Sequence, residues 1–225
     1  MNMEDIKTQQ EELYQQWEEH AKYEYFVRDG ILNYEVWNTT KPKIMFLLKE
    51  TADDFVNIAD NDIDIRNGNG SHFWWNICYW KYVVSNKYIN KDIVFIPTRE
   101  LPEAQKDYVL NDIAYVNVKK QCDNKTKTSD SEILEYANRD KQLLVSQIEL
   151  INPDIVFCNS VTLKVYLIMY GDQLTKLNDI CYKHNNRLIL NFRHPSYFQI
   201  AGGRQTHFSD LYNAIDDSVI KQFSW

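Results

Sequence analysis

The fold the sequence predicts is a three-layer α/β/α sandwich around a central, mainly parallel four-stranded sheet, and three observations predict it. Apolar runs of strand length occur at Lys43–Leu48, Ile113–Val118, Asp154–Cys158 and Arg187–Phe192. They are continuous rather than alternating, as strands buried on both faces require. The segments between them are long enough for right-handed crossovers, and most carry helical patterning.

Taken in order, Met3–Tyr25 is rich in Glu, Gln and Lys, with Leu13, Trp17 and His20 or Ala21 at helical spacing. It reads as an amphipathic helix packed on the domain, and Asp29-Gly30 follows as a turn. After the first strand, Thr51–Ser71 is a long polar loop carrying Asn67-Gly68-Asn69-Gly70. Phe73–Val84 reads as an aromatic-rich helix and Ile93–Ile96 as a short strand. Asp130–Ile151 reads as one helix, opened by Ser129 or Asp130 and stopped by Pro153. Val161–Tyr170 is a helix ended by Gly171, and His207–Phe223 is the closing helix.

A chain of 225 residues with 44% hydrophobic residues, 6 Gly and 5 Pro fits one domain, 1–225, with residues 1–28 as an N-terminal helical extension. No apolar stretch is long enough for a bilayer, and the polar, acidic N-terminus is no signal peptide, so a cytoplasmic protein without membrane contact is expected. Cys78, Cys122, Cys158 and Cys181 show no C-x-x-C spacing, so reduced thiols and no metal site are expected. The formal charge of -7 opposes nucleic-acid binding as a whole-molecule property. The acidic residues concentrate in Glu4–Glu24 and Asp53–Asp64, however, which leaves basic segments elsewhere.

Ligands of parallel sheets bind outside the carboxyl ends of the strands. Three segments there carry chemistry: Lys49-Glu50-Thr51, Asn117-Val118-Lys119-Lys120 and Arg193-His194-Pro195-Ser196. Each residue also has a structural reading. Glu50 fits a helix-cap neighbour or an ion-pair partner, and Asn117 a binder of loop backbone. His194 fits a satisfied strand-end histidine, at least two of Phe73, Trp74 and Trp75 fit the core, and Lys119 to Lys127 fits a solvated loop. Joint placement at three strand ends favours the functional reading.

The stretches Phe46-Leu-Leu-Lys-Glu-Thr51, Tyr115-Val-Asn-Val-Lys-Lys120, Asn152-Pro-Asp-Ile-Val156 and Asn191-Phe-Arg-His-Pro-Ser-Tyr197 occur in the order of a known signature. Together they resemble the uracil-DNA glycosylase superfamily, closest to its thermophile-type branch but without that branch's iron-sulfur cysteines. The first turn departs from the family: Lys49 and Thr51 stand where Gly and a water-positioning residue are usual.

The resemblance implies a uracil-DNA glycosylase-like domain that hydrolyses the N-glycosidic bond of a flipped base, uracil or a modified base such as one in phage DNA, and leaves an abasic site. His194 would stabilise the anionic base, and Glu50, together with Asp53, would orient water or stabilise the sugar cation. Asn117 would read the base and Phe73, in competition with Trp74, would stack on it, beside Lys49 and Thr51. Lys119, Lys120, Arg193, Ser196 and Tyr197 would meet DNA, with Tyr197 or Phe198 as a wedge. Lys125, Lys127, Arg187, Arg204 and His207 would add positive charge. The partner is DNA, with no cofactor and no obligatory protein partner. The alternative is a catalytically impaired member that binds nucleic acid or a nucleotide without excision.

Overall fold

A computed structural model describes residues 3–23, 26–31, 33–50, 72–97, 100–101, 111–121, 128–197 and 202–225. Thr51, Asp53, the Asn67–Gly70 segment, Cys122, Lys125, Lys127 and Phe198 lie outside the described residues.

The architecture is α/β. Among the described residues the strands are β1 (Gly30–Ile31), β2 (Ile44–Leu48), β3 (Ile113–Asn117), β4 (Ile155–Cys158), β5 (Thr175–Lys176), β6 (Cys181–His184) and β7 (Arg187–Asn191). They form one seven-stranded mixed sheet in the order β1-β3-β2-β4-β7-β6-β5. The neighbours β3, β2, β4 and β7 pair in parallel, whereas β1, β6 and β5 join antiparallel at the two margins. The expected four-stranded sheet is therefore corrected to seven strands. β1 and β5 are two residues long, and β6 reads Cys-Tyr-Lys-His, so none offers an apolar run to detect.

The helices are α1 (Met3–Ala21), α2 (Tyr34–Thr39), α3 (His72–Tyr88), α4 (Asp130–Arg139), α5 (Lys141–Ile151), α6 (Ser160–Tyr170), α7 (Gly203–Ala214) and α8 (Asp217–Ile220). Side chains alternate across each strand and build a core on each face. Ile44, Phe46, Ile113, Tyr115, Phe157 and Leu190 pack with Trp80 of α3 and Phe208 of α7. Met45, Leu47, Ala114, Val116 and Val156 pack on the other face, with Trp17 of α1, Ala137 of α4, Ile148 of α5 and Tyr166 of α6. Trp17 is fully buried, so α1 contributes to the central core itself. Gly30 allows that approach: its φ is +127°, and a Cβ there would sit 2.8 Å from Gln10 Oε1.

Three predicted elements are corrected. The helix predicted over Asp130–Ile151 breaks at Asp140, whose buried carboxylate accepts from Tyr23 Oη at 2.7 Å and from Arg139 at 2.8 and 2.9 Å. The helix predicted over His207–Phe223 breaks at Asp216, which caps α8 by accepting from Ser218 N and Val219 N. Ile93–Ile96 joins no sheet; Ile96 instead exchanges hydrogen bonds with the Tyr79 hydroxyl. Other boundaries follow local chemistry. Ser129 caps α4, Asn152 ends α5 in the left-handed region, and Asn159 with Thr162 forms a capping box on α6. No described helix is long and apolar enough to cross a membrane.

Candidate functional site

β7 delivers the His-Pro-Ser turn to the carboxyl end of the sheet, and the turn is pinned from several sides. Phe192 N donates to Cys158 O at 2.7 Å, and Tyr197 N donates to His194 O at 2.8 Å. Asn76, buried on α3, donates its Nδ2 to Pro195 O at 2.6 Å and to Tyr197 O at 3.1 Å. Arg193 pairs with Asp210 of α7 at 2.5 Å.

Within this turn Ser196 N donates to His194 Nδ1 at 3.2 Å. A ring nitrogen that accepts carries no proton, so the neutral imidazole bears its hydrogen on Nε2. Burial, and then the nearby Lys49 ammonium, hold the imidazole below its ordinary pKa. The result is a neutral N–H donor. Its ring lies 5.9 Å from that of Phe73, which meets Trp74 edge-on at 4.8 Å; Trp74 in turn meets Tyr115 edge-on at 5.7 Å. Trp74 thus lies between the core and Phe73, and Phe73 is the ring beside the histidine.

Lys49 and Glu50 follow β2. Lys49 Nζ donates to Asp130 Oδ1 at 2.9 Å, and this pair bridges the end of β2 to the start of α4. Glu50 is held more closely. Its Oε1 accepts from Thr128 N at 2.9 Å, its Oε2 accepts from the Thr128 hydroxyl, and Lys119 Nζ lies 3.7 Å from Oε2. Lys119 also donates to Thr128 Oγ1 at 2.9 Å and lies 3.7 Å from Glu132.

Asn117 closes β3 and meets a second network. Its backbone N and its Nδ2 donate to Asp29 Oδ2 at 2.8 and 3.0 Å. Asp29 Oδ1 accepts from Lys120 Nζ and from Gln147 Nε2, the latter at 3.0 Å, while its carbonyl accepts from the Tyr14 hydroxyl. The Lys120–Asp29 pair is completely buried, and burial lowers the Lys120 pKa against the pull of Asp29.

The structure brings Lys49, Phe73 and His194 together. Glu50 and Asn117 end neighbouring strands, but their hydrogen-bonding groups turn to Thr128 and Asp29. Lys119 and Lys120 require a correction, because both side chains are fully buried in internal ion pairs and neither presents its charge to a phosphate. Val118 N and Lys119 N continue the β3 ladder by bonding Leu48 O and Lys49 O at 2.9 Å, and this draws the lysines inward. Arg187 is also buried, paired with Glu149 at the opposite end of β7, and His207 is buried and neutral against Trp80 and Phe192. Ser196 is exposed and Tyr197 is 48% exposed, so these two form the outer rim of the turn.

Sequence reasoning misses Asp29, Asn76 and Thr128. Thr128 stands directly before the Ser129 helix cap, which is the one local signal that bears on its role here. The other two act from elements whose pairing partners lie far along the chain.

An imidazole N–H, an ammonium and an aromatic face suit a flat ligand on which negative charge develops. Among the described residues no group of three His, Cys, Asp or Glu side chains is placed to hold a metal ion. An open depression of about 450 Å³ is lined by Lys87, Tyr212 and Asp216, but Lys87 lies roughly 20 Å along α3 from Phe73, away from this chemistry. No family profile matches the chain, and no curated protein matches it either.

Proposed function

We propose that the chain is a DNA glycosylase of the uracil-DNA glycosylase type, which flips a base and hydrolyses its N-glycosidic bond. The observation that carries this reading is His194: a neutral imidazole with its hydrogen on Nε2, beside the Phe73 ring and under the field of Lys49. Breaking the bond between C1′ and the base nitrogen sends the electron pair into the base. Water supplies the new bond to C1′ and releases a proton to solvent.

The Nε2–H of His194 donates to the base oxygen as it becomes negative, and the Lys49 ammonium favours the same charge. Phe73 offers the stacking surface for the extruded ring. Glu50 is a fixed negative charge near the sugar; both its oxygens already accept hydrogen bonds, so its part is electrostatic stabilisation of the sugar cation. The partner is DNA, approached from the rim of Ser196 and Tyr197, in a cytoplasmic setting.

The same engagement of Glu50 favours one second reading, a protein that holds a base or nucleotide without cutting it. Duplexes and single strands carrying uracil, hypoxanthine or modified cytosines separate the two. Alkali-labile breaks that disappear in His194→Ala support the hydrolase. Tight binding with intact strands across the whole panel supports the binder and ends the hydrolase reading.

A further inference from the structure

We infer that Arg204 anchors a phosphate group of the same ligand whose base meets Phe73 and His194, so that the site takes a nucleotide unit and not a bare base. The inference rests on reading this end of the sheet as a nucleobase site. A guanidinium keeps its charge, and one drawn out of water needs a carboxylate or several carbonyls around it. The other described arginines obey that rule. Arg28 pairs with Glu11 and Glu18, Arg139 with Asp140, Arg187 with Glu149 and Arg193 with Asp210.

Arg204 breaks it. The residue is half-buried, and among the described residues neither a carboxylate nor a carbonyl accepts from it; its one hydrogen-bond partner is His72 Nδ1, 3.4 Å from Nη2. Burial lowers its pKa, and only the Cys78 thiol and the Tyr79 phenol oppose that effect. A half-buried cation left in this state is costly, and an oxyanion that accepts from the planar fork removes the cost.

The position of the guanidinium suits a phosphate. Gly202 and Gly203, at φ +80° and +57°, turn the chain into α7, and Arg204 follows at once in its first turn. From there it reaches His72, the first residue of α3, whose neighbour Phe73 lies ring to ring with His194 at 5.9 Å. The charge therefore stands beside the ring proposed to stack on the base, and a base is tied through its sugar to phosphate. Lys49, Lys119, Lys120 and Arg193 are already committed to carboxylates. The phosphate is an internal diester of a DNA strand or the terminal group of a free nucleotide; both offer the same oxygens.

The test is fluorescence anisotropy with short single and double strands carrying uracil, hypoxanthine or a modified cytosine, each made with one neutral methylphosphonate at successive positions around that base. For a strand, one such position is expected to weaken wild-type binding about tenfold. Arg204→Gln should weaken the unmodified strand as much, lower the salt slope by about one and abolish the cost at that position. For a free nucleotide, the 5′-monophosphates of the same bases should bind about tenfold better than their nucleosides, and Arg204→Gln should erase the difference. Arg28→Gln, whose guanidinium is paired to α1, should change none of these readings. Thermal unfolding guards against a structural role: Arg204→Gln should melt at or above the wild-type temperature, and a loss of several degrees overturns the inference. So does the absence of any methylphosphonate position or nucleotide preference that depends on Arg204, or of any binding. Alkali cleavage is scored separately, so an Arg204-dependent phosphate contact without strand breaks sinks the hydrolase reading alone, and excision without such a contact sinks this one alone.

Discussion

The main-chain N–H of Ser196 reaches Nδ1 of His194 over 3.2 Å, so a backbone group two residues on sets the tautomer of the side chain proposed to act on the leaving base. His194→Ala is expected to lower single-turnover excision by roughly 10²- to 10³-fold, the range for loss of one preorganised donor. The neutral ring is the active form, and burial and Lys49 depress its pKa. Activity should therefore persist below the ordinary histidine range and fail only under more acid conditions. Lys49→Met removes the second cause and should move the acid limb of the pH profile upward; an unmoved limb would show that another group controls it.

Asn76 ties α3 to two carbonyls of the His-Pro-Ser turn. Asn76→Ala is expected to cost about 1–3 kcal/mol in a urea titration, since the buried Pro195 carbonyl and the part-buried Tyr197 carbonyl lose their donor. Turnover should fall more than apparent substrate affinity, because the turn that carries His194 loses its support.

The Lys120–Asp29 pair has no access to solvent. Lys120→Met strands a buried carboxylate and is expected to destabilise the protein by about 3–5 kcal/mol, whereas the double substitution with Asp29→Asn should recover most of that loss. Chemical denaturation of the four proteins in the cycle measures the coupling.

His207 is 2% exposed, and neither ring nitrogen has a hydrogen-bond partner. Burial, followed by the charge of Arg193, pushes its pKa down to about 4, with Asp210 opposing. Below its ordinary value the unfolded chain takes up a proton that the folded chain refuses. Stability should therefore fall as the pH drops from about 6.5 to about 4, by on the order of 3 kcal/mol, and then level off. His207→Phe should remove that slope and match or exceed the wild type at neutral pH, as read by thermal unfolding.

The parts of this architecture legible in the sequence are those written in contiguous residues. Ile44–Leu48 and Ile155–Cys158 announce themselves because a strand covered on both faces must be apolar throughout. β1 and β5 are too short to carry a period, and the breaks at Asp140 and Asp216 depend on where their carboxylates find donors. At the candidate site the same distinction holds. His194, Phe73 and Lys49 stand near the apolar runs that mark the strand ends, but Lys119 and Lys120 look like a solvated basic run until the fold supplies Glu50 and Asp29 as buried counter-charges. Asp29 itself reads as half of a turn signal, since nothing local says that Asn117, 88 residues away, depends on it.

Among the described residues the outer strands of the sheet, β1 and β5, are each two residues long, and β5 carries the exposed Lys176. At the β5 margin a neighbouring polypeptide seeking to extend the sheet would find two rungs beside the Lys176–Asp179 ion pair, too little to template a further strand. The central ladders, which hold the long apolar segments most able to self-associate, are thereby shielded at that margin as well as above and below. That geometry favours a molecule that stays dispersed when concentrated, a property that light scattering can follow.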